Sequence, residues 1–322
     1  MNKTEIKAKP VFKYIGGKRW LAKDLQHHIN QILNLNKSIN KYCEPFAGGL
    51  GAFLSVAPVL KLHDIKKVLL NDINKPIINF YSLVQKDYSE LFDDYLEIEN
   101  DFLSVIPNKA KDLHRTKDKE QLKMLLEDAN LFFKDMRKNF NEEILSKKEE
   151  DLGVKNASLF LFLQKHSFNG IYRENKKGEY NTPFNWEVGS VDFNRVKDDF
   201  SSLSYLFKQF DLTFSCKNYN CLNKSDNILF YLDPPYLNEN KAENNYNKNA
   251  FGLSDQKALI EYIKDTSFLY SNNNSQLLLD IFNKKIINGF NTFCVERANI
   301  ISSSSKTRNK KQQEMLVRKV FS

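Results

Sequence analysis

Residues 41 to 72 read as a βαβ unit, and this unit constrains the fold more than any other stretch. The segment KYCEPF, residues 41 to 46, predicts a strand that runs into the glycine-rich turn AGGLGAF. LSVAPVL then predicts a short helix broken at Pro58, because proline lacks the amide that a helix interior needs. KKVLLNDIN gives a second strand that ends at Asp72. Strand, turn, helix and strand in this order predict an α/β fold.

The rest of the chain divides into a helical middle and a strand-rich end. Residues 85 to 165 carry apolar side chains at helical spacing and show little strand signal. Alternating patterns return from Leu212, with helices expected at SDQKALIEYIKD and SQLLLDIFNKK between the strands. The sequence therefore predicts a sheet domain interrupted by a mostly helical insertion. The candidate strands of the last part are LTFSC, NILFYL, SFLYS, NTFCV and EMLVRKVF.

Composition narrows the possible partners. The net charge of +8 and the pI of about 9.0 suit a polyanion, although an AT-rich genome also enriches lysine and asparagine. No apolar stretch approaches membrane-spanning length, so we expect no membrane contact. The four cysteines and five histidines show no disulfide or zinc spacing. We therefore expect reduced thiols, a cytoplasmic protein and no metal.

The glycine turn and the acid after the second strand point to a nucleotide-like ligand. Gly48, Gly49 and Gly51 let the backbone approach a ligand closely. Asp72 lies where an acid accepts hydrogen bonds from ribose hydroxyls in nucleotide-binding sheets. The run differs from G-x-G-x-x-G, and a tight structural turn accounts equally well for the glycines alone. Together with the acid, they favour a ligand that contains adenosine.

The segment FKYIGGKRWL, residues 12 to 21, contains a glycine pair before a lysine. It lacks the phosphate-loop pattern because Arg19 follows Lys18, so we exclude nucleoside triphosphate binding. A glycine pair before a lysine can still bring an ammonium to a cofactor carboxylate. On its own, however, a turn with a solvated lysine is the simpler interpretation.

The stretch FYLDPPYL, residues 230 to 237, ends an apolar strand with an acid, two prolines and an aromatic ring. Asp233 thus lies at the carboxyl edge of the predicted sheet, where ligands bind in open α/β folds. Pro234 and Pro235 stop the strand, which frees the Pro234 carbonyl to point into a pocket. A carboxylate and a carbonyl side by side suit an amino group with two N–H donors. Tyr236 offers a flat face on which a base can stack.

These residue types fit transfer of a group to an exocyclic amine. Such an amine is a poor nucleophile because its lone pair is delocalised into the ring. Two acceptors that hold its hydrogens favour a more tetrahedral nitrogen with an exposed lone pair, and no covalent intermediate is needed. A strand end with a proline turn and a core tyrosine is the alternative for D-P-P alone.

Six motifs in this order resemble those of Dam-type DNA adenine-N6 methyltransferases of the α-group, over nearly the whole chain. FKYIGGKRWL, EPFAGGLGAFL, LNDIN and YLDPPY resemble the family's cofactor and catalytic motifs. SFNGIYRENKKGEYNTPFN resembles its insertion motif, and RANIISSSSKTRNKKQQEMLV resembles its C-terminal motif. The resemblance implies a Rossmann-like S-adenosylmethionine-dependent methyltransferase sheet with a mostly helical target-recognition insertion. The catalytic domain would comprise residues 1–84 and 205–322, and the target-recognition domain residues 85–204.

The resemblance also implies a role for each matched residue. Tyr14, in place of the usual tryptophan, and Lys18 would contact S-adenosylmethionine, and Asp72 would bind its ribose. Asp233 would lie beside the cofactor and the target amine, and Tyr236 would stack on an adenine flipped out of the duplex. The implied cofactor-binding set is Tyr14, Lys18, Phe46, Gly48, Gly49, Gly51, Asp72 and Asp233, and the catalytic set is Asp233, Pro234, Pro235 and Tyr236.

The insertion motif predicts a hairpin or ordered loop that reads double-stranded DNA. Asn169 and Arg173 carry donors and acceptors for base edges, whereas Ile171 and Pro183 suit a thymine methyl or a wedge between bases. The implied site is GATC or a related GAT-containing site. Members that read GATC often continue P-F-G-R, whereas Asn185 and Trp186 follow PF here, so the outer bases stay open. The implied DNA-binding set is Lys13, Asn169, Ile171, Arg173, Pro183, Lys306 and Arg308.

Two alternatives stay open beside methylation of DNA. One is an RNA adenine methyltransferase, against which the recognition motif argues. The other is a catalytically silent DNA-binding protein of the same fold, against which the complete D-P-P-Y argues. The resemblance suggests a monomer, and it leaves open a cognate restriction endonuclease that acts on the same site.

Overall fold

The computed structural model describes residues 8–14, 17–108, 119–146, 152–186, 192–237, 251–286, 289–297 and 312–321. The chain divides into two compact units, each of which is described by itself. The helical unit is built from Met1–Gly17, Gly48–Leu54 and Asn74–Phe210. The sheet unit is built from Lys18–Ala47, Ser55–Ile73 and Asp211–Ser322.

The sheet unit contains the strands β1 Lys41–Glu44, β2 Lys67–Asn71, β3 Asp211–Ser215, β4 Ile228–Leu232, β5 Ser267–Asn273, β6 Phe290–Arg297 and β7 Gln312–Lys319. They form a seven-stranded sheet of order β3-β2-β1-β4-β5-β7-β6. Strands β1 to β5 pair in parallel, whereas β7 is antiparallel to both β5 and β6. The strand order reverses between β1 and β4, which places a topological switch point at their carboxyl ends.

Helices α1 (Ala22–Leu35), α9 (Leu253–Ile263) and α10 (Gln276–Lys285) also belong to the sheet unit. All five residues of β4 are buried, as expected of a central parallel strand covered on both faces. Its apolar side chains share a core with those of α9 and α10. The α/β class and each strand and helix predicted in this part are confirmed, with small shifts at their ends.

Helix α2 spans Gly51–Leu62 and continues through Pro58, so the predicted break is wrong. Proline costs the helix one hydrogen bond. Val56, Ala57 and Leu60 are buried around this position, and their packing outweighs the loss.

The helical unit confirms the predicted helical character of the middle of the chain. Helix α7 (Val154–His166) is buried along most of its length and packs against α3 (Lys75–Lys86), α4 (Ser89–Ser104) and α6 (Glu127–Ser146). Helix α3 packs on α7 and on α8 (Phe193–Phe207). Among the described helices, none is long and apolar enough to cross a membrane. The helices are α3 Lys75–Lys86, α4 Ser89–Ser104, α5 Lys119–Leu125, α6 Glu127–Ser146, α7 Val154–His166 and α8 Phe193–Phe207.

Candidate active site and DNA-reading segment

Asp233 directly follows the buried strand β4, at the switch point of the sheet. Its Oδ1 accepts hydrogen bonds from Lys18 Nζ at 2.8 Å and from Ser271 Oγ at 3.2 Å. Both partners bind Oδ1, so within the described ranges Oδ2 has no partner. Burial raises the pKa of the Asp233 carboxyl, and the Lys18 ammonium opposes that rise. The carboxylate is therefore held in place while one oxygen stays available to a ligand.

A buried hydrogen-bond network fixes the path of the chain after Asp233. Gln256 Nε2 donates to the Pro235 carbonyl at 3.0 Å, and Tyr270 Oη donates to Gln256 Oε1 at 2.7 Å. Asn272 Oδ1 accepts from the Leu237 amide at 3.3 Å. The Pro234 carbonyl accepts no hydrogen bond from the described part of the chain. It therefore keeps the acceptor capacity that the sequence interpretation requires.

Lys18 opens a 3-10 turn, Lys18–Leu21, and its side chain is 3% exposed. Its Nζ lies 2.8 Å from Asp233 Oδ1, 3.5 Å from Glu314 Oε1 and 4.8 Å from the ring centroid of Tyr236. A buried ammonium is costly unless it is paired, and two carboxylates meet that requirement here. The alternative of a solvated lysine is therefore wrong.

The end of β1 carries a second buried carboxyl, on Glu44. Tyr42 Oη donates to Glu44 Oε1 at 2.6 Å, and Glu44 is 1% exposed. Burial raises the pKa of Glu44 to about 8, although the Tyr42 hydrogen bond opposes the rise. Phe46 follows, half-buried, with its ring 5.6 Å from that of Tyr219.

Glu44→Gln should remove a pH dependence from the stability of the fold. The Glu44 carboxyl ionises near 4.5 in an unfolded chain and near 8 in the native state. The contribution of Glu44 to the free energy of unfolding is therefore fully present below pH 4.5. It falls as the pH rises to about 8, by at most about 1.4 kcal/mol per pH unit. Melting temperatures across this window should fall less steeply for Glu44→Gln than for the wild type.

Glu261→Gln is the matched control for this prediction. Hydrogen bonds from Lys264 and Lys285 lower the pKa of Glu261 to about 2, so it does not titrate in the same window. Identical pH profiles for Glu44→Gln and the wild type would show that Glu44 is ionised throughout.

Asp72 follows β2, and its position is fixed by the neighbouring Asn71. The Asn71 side chain donates to the carbonyls of Pro45 at 3.0 Å and Lys217 at 2.9 Å. It also accepts from the Lys217 amide at 3.0 Å, while the Asp72 amide donates to the Ser215 carbonyl at 3.1 Å. One buried amide thereby ties together the carboxyl ends of β1, β2 and β3.

In the helical unit, the glycine turn lies against the ring of Tyr14. Gly48 has a φ of +46°, and a Cβ there would stand 2.8 Å from Tyr14 Cε1. A Cβ on Gly49 would stand 2.6 Å from Tyr14 Cβ. Glycine is therefore required at both positions for this packing, whereas Gly51 begins helix α2.

Residues 166 to 185 form an irregular hairpin in the same unit, as predicted. Antiparallel bridges join Ser167 to Phe184 and Glu174 to Tyr180.

Arg173 is exposed, and its Nε donates to Asn181 Oδ1 at 2.7 Å. Of the other predicted DNA-reading residues, Asn169 and Pro183 are exposed, Ile171 is half-buried, and Lys13 is exposed beside Gly170.

Helix α6 anchors this hairpin. Asn141 Oδ1 accepts from the Tyr180 amide at 2.7 Å, and Asn141 Nδ2 donates to the Tyr180 carbonyl at 3.1 Å. Arg137 Nη1 donates to the Thr182 carbonyl at 3.1 Å. The exposed side chains of the hairpin are therefore presented from a backbone held on a helix.

Sequence reasoning missed several residues around Asp233. Glu44 and Glu314 lie inside the segments EPFAGGLGAFL and RANIISSSSKTRNKKQQEMLV quoted above, but neither was assigned a role. Ser271 and Gln256 carried no signal, because their position depends on the pairing of β4 with β5 and on α9. The predicted DNA-contacting residues Lys306 and Arg308 lie outside the described residues. Within the described ranges, no group of three or more His, Cys, Asp or Glu side chains could hold a metal ion.

The sheet order places Asp233 at the switch point, where open α/β folds bind their ligands. A family model described as "D12 class N6 adenine-specific DNA methyltransferase" matches residues 14–297. The chain belongs to this family and is an adenine-specific DNA methyltransferase.

Relatives with similar names cover nearly the whole chain. The type II methyltransferase M.MjaIII of Methanocaldococcus jannaschii is 27% identical over 97% of this chain and 99% of its own length. A DNA adenine methylase of Vibrio cholerae is 27% identical over 94% of each chain. The type II methyltransferase M1.LlaDCHI of Lactococcus lactis is 23% identical over 96% of this chain and 95% of its own length.

Proposed function

We propose that this enzyme transfers a methyl group from S-adenosylmethionine to the N6 amine of adenine in GATC or a related GAT-containing duplex site. One observation carries the proposal. The buried strand β4 ends in a fixed carboxylate with one open oxygen, an unengaged carbonyl on Pro234 and the 42% exposed ring of Tyr236. Two acceptors and a flat ring suit a planar base with an exocyclic amine.

The cofactor proposal is supported by residues at the strand ends and by the glycine turn. The glycine turn packs so closely against Tyr14 that no side chain fits on Gly48 or Gly49. Acids at strand ends can accept hydrogen bonds from the ribose hydroxyls and the amino group of the cofactor, and the ammonium of Lys18 can pair with the cofactor carboxylate. We assign S-adenosylmethionine to Tyr14, Lys18, Phe46, Gly48, Gly49, Gly51, Asp72 and Asp233.

Asp233 and the Pro234 carbonyl would bind the two hydrogens of the target amine. That geometry localises the nitrogen lone pair, which otherwise is delocalised into the ring. The bound cofactor supplies an electrophilic methyl group. After transfer the nitrogen is cationic and loses a proton readily, so Asp233 need not remove one beforehand. The amine of a paired adenine is engaged in the duplex, so the base must flip out, and Tyr236 would stack on it.

Site recognition is assigned to the hairpin of the helical unit. Asn169 and Arg173 would bind base edges, while Ile171 and Pro183 would contact a thymine methyl or wedge between bases. Lys13, beside Gly170, would contact DNA as well. Lys306 and Arg308 are proposed to contact the phosphate backbone.

Arg173→Ala should relax the choice of site without affecting the cofactor. Loss of one base contact reduces discrimination by about 1–3 kcal/mol, or about 5- to 150-fold. Methylation rates on the cognate duplex and on duplexes with one changed base pair measure this ratio, and equilibrium dialysis measures cofactor affinity. Arg195→Ala, an exposed arginine at the start of α8, is the control. Weaker cofactor binding with unchanged discrimination would remove Arg173 from the reading segment.

Transfer of labelled methyl to duplex DNA and to RNA of the same sequence tests the proposed function. We expect N6-methyladenine in the duplex and none in the RNA. Transfer to RNA alone would favour the RNA methyltransferase, and duplex binding without transfer would favour the silent binder. A cytoplasmic location, a monomeric state and a cognate restriction endonuclease are further parts of the proposal.

A further inference from the structure

Strand β7 brings a nearly buried carboxylate to the residues around Asp233. Glu314 pairs in register with Asn273 of β5, and its side chain is 7% exposed. A carboxylate in this position is costly unless it is paired. The partners of the Glu314 carboxylate therefore indicate its role.

Glu314 contacts two residues that border the reacting centre. Its Oε1 lies 3.5 Å from Lys18 Nζ. Burial raises the pKa of the Glu314 carboxyl, and a side-chain hydrogen bond from Tyr236 is one of the contacts that oppose the rise. Lys18 in turn lies 2.8 Å from Asp233 Oδ1 and 4.8 Å from the Tyr236 ring centroid. Glu314 thus shares one ammonium with Asp233 and holds the polar end of the ring.

The Tyr236 ring needs such a contact because it is 42% exposed. Pro235 restricts the backbone before it, but the side chain can still rotate. A stacking surface for a base is useful only when its plane is fixed before the base arrives.

We propose that Glu314 is a positioning residue for methyl transfer, which fixes the plane of Tyr236 and the ammonium of Lys18. This inference rests on the proposed function, since the Tyr236 ring is assigned to the target base. Glu314 does not touch the base and acts only through its two partners.

Glu314→Met separates this role from a structural one. Methionine fills the volume without an acceptor, and Lys18 keeps its 2.8 Å pair with Asp233, so the substitution leaves no buried charge unpaired. We expect an unchanged or higher melting temperature with a single-turnover methylation rate at least about tenfold lower. Glu314→Gln, which retains an acceptor oxygen, should restore part of the rate. Glu261→Met, at a glutamate of the same unit whose side chain is 43% exposed, is the matched control.

Tyr236→Phe tests the route of the effect, because it removes the hydroxyl and keeps the ring. If Glu314 acts through that hydroxyl, the double variant Glu314→Met with Tyr236→Phe should have a methylation rate within about threefold of that of Glu314→Met alone. A duplex with 2-aminopurine in place of the target adenine should fluoresce more with Glu314→Met than with the wild type, because the flipped base is less well stacked.

Each outcome of these measurements decides a separate claim. A wild type that transfers no methyl to duplex DNA would contradict the proposed function itself. If the wild type is active, and the methylation rate and the fluorescence with Glu314→Met are within twofold of the wild-type values, the positioning role alone is overturned. If Glu314→Met does not fold, the single and double variants are compared with Glu314→Gln in its place. If the losses in methylation rate from Glu314→Gln and Tyr236→Phe then multiply in the double variant, coupling through Tyr236 is rejected.

Discussion

We expect Asp233→Ala to lower the single-turnover rate of methyl transfer at least about a thousandfold, with little change in duplex affinity. The substitution removes the open Oδ2 that is assigned to the target amine. It also removes the carboxylate that lies 2.8 Å from Lys18 Nζ, whereas Glu314 Oε1 lies 3.5 Å from that ammonium. The loss should appear in the chemical step, measured with labelled cofactor and excess enzyme.

Two further variants make the result of Asp233→Ala specific. Asp233→Asn preserves the shape and one acceptor oxygen, so it tests the loss of charge without a cavity. Asp226→Ala removes an exposed carboxylate just before the other end of β4 and should leave the rate unchanged. Near-normal transfer by Asp233→Ala would exclude Asp233 from the catalytic residues.

We expect Glu99→Ala to destabilise the helical unit by about 3–5 kcal/mol. Glu99 is fully buried in α4, and its Oε1 accepts from Tyr95 Oη at 2.6 Å. His166 Nε2 lies 2.9 Å from both carboxylate oxygens. Without Glu99, two buried polar groups lose their partner, which is the costly way to break such a network.

The effect of Glu99→Ala should be visible in both unfolding and recognition. The melting temperature of the helical unit should fall by about 10 °C, followed by circular dichroism. His166 ends α7 directly before the hairpin that is proposed to read DNA, so selective binding of the cognate duplex should weaken too. Glu97→Ala, at an exposed position two residues away on α4, is the control. Equal melting temperatures for these two variants would mean that the buried network adds no stability.

The sequence predicts the strands and their terminal acids well because both depend on local patterns. Asp72 and Asp233 each follow a short apolar run, and the rule that ligands bind at the carboxyl edge of a parallel sheet applies to both. Pro58 shows where a local rule fails, since the packing of its buried helical neighbours outweighs one missing hydrogen bond.

The partners of Asp233 could not be predicted in the same way. Ser271 comes from β5 and Glu314 from β7, so their approach to Asp233 depends on the parallel pairing of β4 with β5 and the antiparallel pairing of β5 with β7. No spacing within the sequence encodes those pairings. Lys18 illustrates the same limit, because its burial follows from two carboxylates 215 and 296 residues further along the chain.

A map of modified bases tests the central claim most directly. Plasmid DNA from a methylation-free host is incubated with the protein and S-adenosylmethionine, then read by long-read sequencing. We predict N6-methyladenine at one short GAT-containing motif, and no modification by Asp233→Ala. Methylated cytosine, or no modified adenine despite intact duplex binding by the wild type, would contradict the assignment.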